Sequence, residues 1–326
     1  MNSETIIPAY SSLYEWEFEQ DDERAYIKFK CPNNFDPNLL QFEFSEDNTA
    51  VAVTIEGVLI PVLKGIIYKP ITEYEISRSS QKVILYLIKV ENEEWLFPVC
   101  GPYPDSNDID PKSAFLLSQS NIEPKESHQF LNISASYHFL PALRYLISQL
   151  EENPNQNDLI KNTIISLYRI AIDDYDDPLS SFNYAKYLIN QGFENKFIFD
   201  ILQFASESSI PNVVTLQAQL LSKFSGIPFE CKRDQLAVQF LQKAIEENEN
   251  DSVALHLIAM HYCFGCGVKK DIKLAEKYQE MALKINPDVE PLKDQKQGVN
   301  KLIIVSAIAI TAVVGFTIFK HFKKKS

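Results

Sequence analysis

Cysteine is scarce in this chain of 326 residues: Cys31, Cys100, Cys231, Cys263 and Cys266 make five, an odd number with no framework spacing. That excludes a disulfide scaffold and fits reduced thiols in a cytosol-like compartment. Basic charge is short as well, with 31 Lys and Arg against 44 Asp and Glu, a formal charge of −13. Residues 293–326 hold seven lysines against Asp294 alone, so the other 292 residues carry 24 basic against 43 acidic groups, or −19. A body that acidic repels phosphate backbones, so nucleic acid is not an expected partner. The N-terminus, MNSETIIPAYSS, has neither a basic region nor an apolar run, and no secretory signal is expected there. The five histidines, His128, His138, His256, His261 and His321, pair with no nucleophile and orienting carboxylate. No catalytic residue, cofactor or small-molecule substrate is therefore expected, and the chain does not read as an enzyme.

What is present begins with one long apolar run. Residues 302–319, LIIVSAIAITAVVGFTIF, are uncharged over eighteen positions between Lys301 and Lys320. As a helix they would span about 27 Å, close to a bilayer's hydrocarbon thickness. Placed after a juxtamembrane stretch (287–301) and before a basic tail (320–326), the run predicts a single transmembrane helix acting as a tail anchor. It would leave the body in the cytosol, on a mitochondrial-type outer membrane or the endoplasmic reticulum.

Between residues 14 and 99 the period is two. Leu40, Phe42 and Phe44 alternate with Gln41 and Glu43, while Val51, Val53 and Ile55 alternate with Ala52 and Thr54. Residues 82–89, KVILYLIK, are apolar on both faces, as in a strand covered on both sides. Breakers such as Pro32-Asn33-Asn34, Gly57 and Ser79-Ser80 separate seven or eight short runs. The expected fold of residues 10–100 is an antiparallel β-sandwich. Tyr14 and Trp16 at the first strand, Lys64 and Gly65 mid-domain, and Lys89 followed by Trp95 resemble a CS domain, in its NudC-like form. The resemblance implies a sandwich that binds other proteins, typically chaperones of the ninety-kilodalton heat-shock class or their clients.

Residues 101–134 turn polar, with four prolines among Asp, Asn and Ser, and read as a linker with one short helix near 113–118. From 135 to 286 the period becomes 3.6. Helices are expected at 139–152, 157–173, 179–191, 195–206, 211–225, 233–248, 252–264 and 271–286, pairing into four hairpins. Ala205, Ala244 and Ala282 recur 39 and 38 residues apart, and Ala237 and Ala275, like Phe240 and Tyr278, lie 38 apart. Small residues repeating at this period mark an α-solenoid. The last unit, with Ala259, Tyr262, Gly265, Gly267, Asp271, Ala275, Tyr278 and Ala282, resembles a Sel-one-like repeat, a relative of the tetratricopeptide repeat.

Cys263-x-x-Cys266 beside His256 and His261 lacks the second ligand pair of a structural zinc site, so no metal is expected. Gly265-x-Gly267 lacks the third glycine and preceding strand of a dinucleotide fingerprint. The expected function is a tail-anchored adaptor or co-chaperone whose partners are proteins: a chaperone, a client or a recruited effector. The alternative is an organelle-surface docking adaptor for membrane remodelling, resembling the mitochondrial fission adaptor.

Overall fold

The computed structural model describes residues 7–193, 196–208, 210–229 and 232–292. Contacts divide the chain after Asp176 into two compact units.

The first unit opens with a short helical turn, Ser11–Tyr14 (α1), followed by eight strands. One antiparallel sheet has the order β1 (Glu17–Gln20), β2 (Arg24–Lys30), β7 (Lys82–Lys89), β6 (Ile71–Arg78). The other runs β3 (Leu40–Phe44), β4 (Ala50–Ile55), β5 (Leu63–Ile67), β8 (Val99–Gly101). Period-two alternation explains the burial. In the β2–β7 ladder Ala25, Ile27 and Phe29 sit opposite Leu87, Leu85 and Val83, and all six are buried. On the other face Tyr26 meets Tyr86 edge to face at 5.4 Å.

The expected β-sandwich is corrected here. The strands form two open sheets that share no strand, and each ends in two edge strands, β1 and β6 in one and β3 and β8 in the other. Phe29 against Phe42 at 6.1 Å and Phe44 stacked on Tyr74 at 3.7 Å link them. The physical reason is that alternation identifies a strand and its buried face but not its neighbour, and β2 takes as partner a strand more than fifty residues on.

Residues 101–134, expected as a linker, carry α2 (Pro111–Ser118) and most of α3 (Pro124–Ser136). Asp110 caps α2, accepting the Ser113 N–H at 2.8 Å, with Pro111 in the first turn. The hairpin of α4 (Leu140–Glu151) and α5 (Asp158–Tyr175) completes this unit. The first hairpin of the solenoid expected over 135–286 falls in the first unit.

The second unit contains α6 (Pro178–Asn190), α7 (Phe197–Ser206), α8 (Val213–Leu221), α9 (Asp234–Glu247), α10 (Ser252–Phe264) and α11 (Ile272–Ile285). They pack as the hairpins α6–α7, α8–α9 and α10–α11. Aspartates start three of these helices: Asp177 accepts from Ser180 N at 3.0 Å, Asp251 from Val253 N and Ala254 N at 3.0 Å each, and Asp271 from Leu274 N at 3.1 Å. All nine residues of α8 are buried, Thr215, Gln217 and Gln219 among them, which makes it a central helix with no exposed face. Ala218, Leu241, Ala244, Ala254, Leu257 and Ile258 form a core in which the alanines let helices approach closely.

The expected transmembrane helix is also corrected for the described residues: no helix among them is long and apolar enough to cross a membrane. The longest, α5, has 18 residues and carries Asp158, Lys161, Arg169, Asp173 and Asp174. The run 302–319 lies outside the described residues.

Candidate functional site

The CS-like markers are all committed to holding the first unit together. The Tyr14 hydroxyl donates to the Ile60 carbonyl at 2.7 Å, and the Trp16 indole Nε1 donates to the Val62 carbonyl at 3.1 Å. Lys112 lies over the Trp16 ring at 4.6 Å and donates to the Trp16 carbonyl. Lys89 buries its ammonium among Gln20 Oε1 at 2.9 Å, the Asp21 carbonyl at 2.8 Å and the Glu93 carbonyl at 2.9 Å. Trp95 is buried and held at its backbone by the Gln20 side chain, while its Nε1 has no partner among the described residues. Gly65 is required where it stands. A Cβ there would lie 2.3 Å from the Gly101 carbonyl oxygen and from Val99 Cγ1, so β5 and β8 could not pair as they do.

Lys64 connects these strands to the helices. Its N–H donates to Asp110 Oδ2 at 3.0 Å and its ammonium pairs with Asp108 at 3.2 Å, an oxygen neighbour of the one that accepts the Tyr137 hydroxyl at 2.8 Å. Burial pushes the Asp110 carboxyl up to about 6, against the hydrogen bonds from Ser113 and Lys64 that favour its charged form. Sequence reasoning missed Asp108 and Asp110. The Asp-Pro step at a helix start was their only local signal.

In the second unit the repeat markers are likewise structural. Ala259, Ala275 and Ala282 are fully buried, Tyr262 stacks on Tyr278 at 6.0 Å, and the Asp271 N–H donates to the Tyr262 carbonyl at 3.0 Å. Gly265 ends α10 in the left-handed region, at φ 66°. Gly267, at φ 72°, presses on the start of α9, and a Cβ would sit 2.4 Å from the Asp234 carbonyl. The Cys-x-x-Cys and its histidines are spoken for. His261 Nδ1 lies 2.8 Å from the Cys266 carbonyl and Nε2 2.8 Å from Ser222 Oγ. A carbonyl only accepts, so Nδ1 carries the proton and Nε2 accepts from the Ser222 hydroxyl. Ser222 and His261 are completely buried, so the pair fastens α10 to the segment after α8 and meets no substrate. Burial holds His261 below its usual titration range, and pushes Lys232, whose ammonium donates to the Ser222 and Ile227 carbonyls, down to about 8. His256 Nδ1 faces Gln279 Oε1 at 2.9 Å.

Some large apolar side chains remain exposed. On α7, Phe197 and Phe204 stand two turns apart on the outer face, 45% and 37% exposed, and Phe193 precedes them at 48%. The adjoining face of α7 buries Ile198, Ile201, Leu202 and Ala205. The helix thus carries more apolar surface than its packing uses. That excess was readable, because apolar residues at 197, 198, 199, 201, 202, 204 and 205 cover an arc wider than one buried stripe needs.

No protein-family model matches the chain, and no curated protein matches it. Among solved structures it is similar to a protective antigen present in uropathogenic Escherichia coli strains displaying an SLR fold, at 18% identity and a TM-score of 0.42, over 55% of this chain and 39% of that one. It is similar to a Sel1 repeat protein from Oxalobacter formigenes at 20% identity and a TM-score of 0.42, over 54% of this chain and 51% of that one. It is also similar to the nuclear movement protein from E. cuniculi GB-M1 at 15% identity and a TM-score of 0.22, over 26% of this chain and 98% of that one. The match thus spans 39% and 51% of the lengths of the two repeat proteins.

Proposed function

We propose that the protein is an adaptor that binds other proteins, and that α7 is one of its contact surfaces. The observation that carries this reading is the pair Phe197 and Phe204, large aromatic side chains 45% and 37% exposed on a helix whose inner face is already packed. Exposed aromatic clusters rimmed by polar groups, here Asp200 and Gln203, are the ordinary signature of a protein-binding surface. Replacing both with serine removes the apolar surface and leaves the buried face intact. Proximity labelling from the full chain and from the Phe197→Ser, Phe204→Ser variant compares the two partner sets. Loss of a reproducible set in the variant supports the reading; an identical set in both overturns it.

A finer reading, in which the partner is a chaperone of the ninety-kilodalton heat-shock class or its client, rests on the CS-like resemblance of residues 10–100. Enrichment of such a chaperone with the full chain would support it, and enrichment of unrelated proteins only would end it. Residence at an organelle membrane is a proposal that rests on the sequence of 302–319 alone. Alkaline carbonate extraction of the full chain checks it, with release into the supernatant as the contrary result.

A further inference from the structure

The first sheet ends at β1, which among the described residues pairs with β2 and with no other strand. The hairpin is closed by the Asp21 N–H donating to the Arg24 carbonyl at 2.9 Å, and its register sets Glu19 opposite Tyr26 and Glu17 opposite Lys28. In an antiparallel ladder hydrogen-bonded pairs alternate with non-bonded ones, so Trp16, Phe18 and Gln20 turn their backbone groups away from β2, toward the open edge. Two of these three positions are already occupied. Lys112 donates to the Trp16 carbonyl, and at the other end the Gln20 side chain ties the edge to the Trp95 backbone at 2.9 Å. Phe18, between them, keeps its N–H and C=O directed at the edge with no described group bonded there.

That gap borders an open surface cleft of about 470 Å³. Its apolar lining is Trp16, Leu96, Phe97, Pro98 and Leu116, joined by the side chain of Lys112, and Leu96 is 66% exposed. The rim carries more acid than base. Glu15 and Glu17 are exposed and share the field of one cation, Lys112, while Glu19 shares its charge with Lys28 at 2.5 Å. Asp22 and Glu94 extend the same sign past the end of the strand.

We infer that the β1 edge at Phe18 and this cleft accept a short extended segment of a partner protein, in which apolar residues that face the cleft alternate with Lys or Arg that face the acidic rim. The segment would exchange two backbone hydrogen bonds with Phe18 and add a strand to the sheet. A second copy of this chain is the poorer occupant: antiparallel pairing of two β1 strands about Phe18 would set Glu17 against Glu19 in both directions, and like charges directly opposite destabilise such pairs. The site does not involve the α7 surface, so the failure of either leaves the other standing.

Both tryptophans of the chain, Trp16 and Trp95, lie at or beside this cleft, so intrinsic fluorescence of the full chain reports occupancy directly. The probe is the capped pentapeptide Val-Lys-Val-Lys-Ile, whose central valine lies opposite Phe18 and whose lysines lie opposite Glu17 and Glu19, compared with its twin N-methylated at the central residue and with Val-Glu-Val-Glu-Ile. We expect saturable binding of the first, at least tenfold weaker binding of the N-methylated twin, and no binding of the acidic peptide. The Glu17→Lys, Glu19→Lys variant, with its far-UV spectrum unchanged, should also bind the basic peptide at least tenfold more weakly. Equal affinity for the N-methylated twin would overturn strand addition, and it needs no variant that could misfold. Binding of the acidic peptide, no binding of any peptide, or a concentration-dependent dimer that the basic peptide does not dissociate would each overturn the proposal.

Discussion

The two units solve the same packing problem with contacts of different span. In the first, the Trp16 indole reaches Val62, the Lys89 ammonium reaches Asp21 and Gln20 reaches Trp95, pairs 46, 68 and 75 residues apart that follow no common interval. In the second, Thr215 meets Asp251 and Ser222 meets His261, 36 and 39 residues apart, close to the interval at which small residues recur in the sequence. Neighbouring hairpins repeat one arrangement, so corresponding positions touch and the period of the sequence becomes the spacing of the contacts. A β unit has no such rule, because each pairing brings together segments that only the finished fold makes adjacent.

That contrast can be broken most severely at the two crowded glycines. Gly65→Ala forces a side chain into the β5–β8 contact and Gly267→Ala forces one into the start of α9, each at a positive φ. Strain and overpacking together should cost about 3 kcal/mol or more in each. Denaturant titration followed by tryptophan fluorescence reads the first. Hydrogen exchange at α9 and α10 reads the second.

The units should also answer pH with opposite signs. Asp110, whose carboxyl titrates at about 6 when folded against 3.8 otherwise, binds a proton more readily in the folded state. Its contribution is favourable at low pH and is lost as pH rises from about 4 to 6, at a cost of about 3 kcal/mol to the first unit. Asp110→Asn should flatten that slope in stability curves read by tryptophan fluorescence. His261 behaves in reverse. Burial lowers its folded titration below the unfolded value, so the unfolded chain takes up a proton first and the second unit loses stability as pH falls below about 6.5. Exchange protection of α10 should therefore drop on acidification, and His261→Gln should blunt the drop.

Smaller effects sharpen the picture. Asp251 caps α10 with two backbone bonds and also accepts the Thr215 hydroxyl, so Asp251→Ala should cost about 2 kcal/mol by thermal denaturation. The exposed Lys243–Glu247 pair, 3.6 Å apart on one helix face, should contribute no more than about 0.5 kcal/mol, and Lys243→Ala should be nearly silent.

The same contrast governs how much could be read beforehand. The helices α4 to α11 lie within a few residues of the positions that 3.6 periodicity and capping residues indicate, since both signals are local. Helix α3 escaped because its buried face is only Leu131, Ser134 and Ala135, and the rest of its sequence is as polar as a loop. Among the strands, burial followed from alternation, but the joining of β2 to β7 did not. Trp16 and Trp95 could be placed in a core by composition alone, whereas the network of Lys64, Asp108, Asp110 and Tyr137 draws on three separate segments with no shared motif. The surface on α7 was visible as surplus hydrophobicity, although hydrophobicity alone does not say which aromatic side chains stay outside.

The central claim is that this surplus is a protein-binding surface. Its most direct test places a photo-crosslinking amino acid at Phe204 and, as a control, at the exposed Lys243 of α9, in the full chain in its own cell. The account predicts discrete protein adducts from position 204 that disappear when Phe197 is also replaced by serine, and only background from position 243. Equal adduct patterns from both positions, or none from 204, would contradict it.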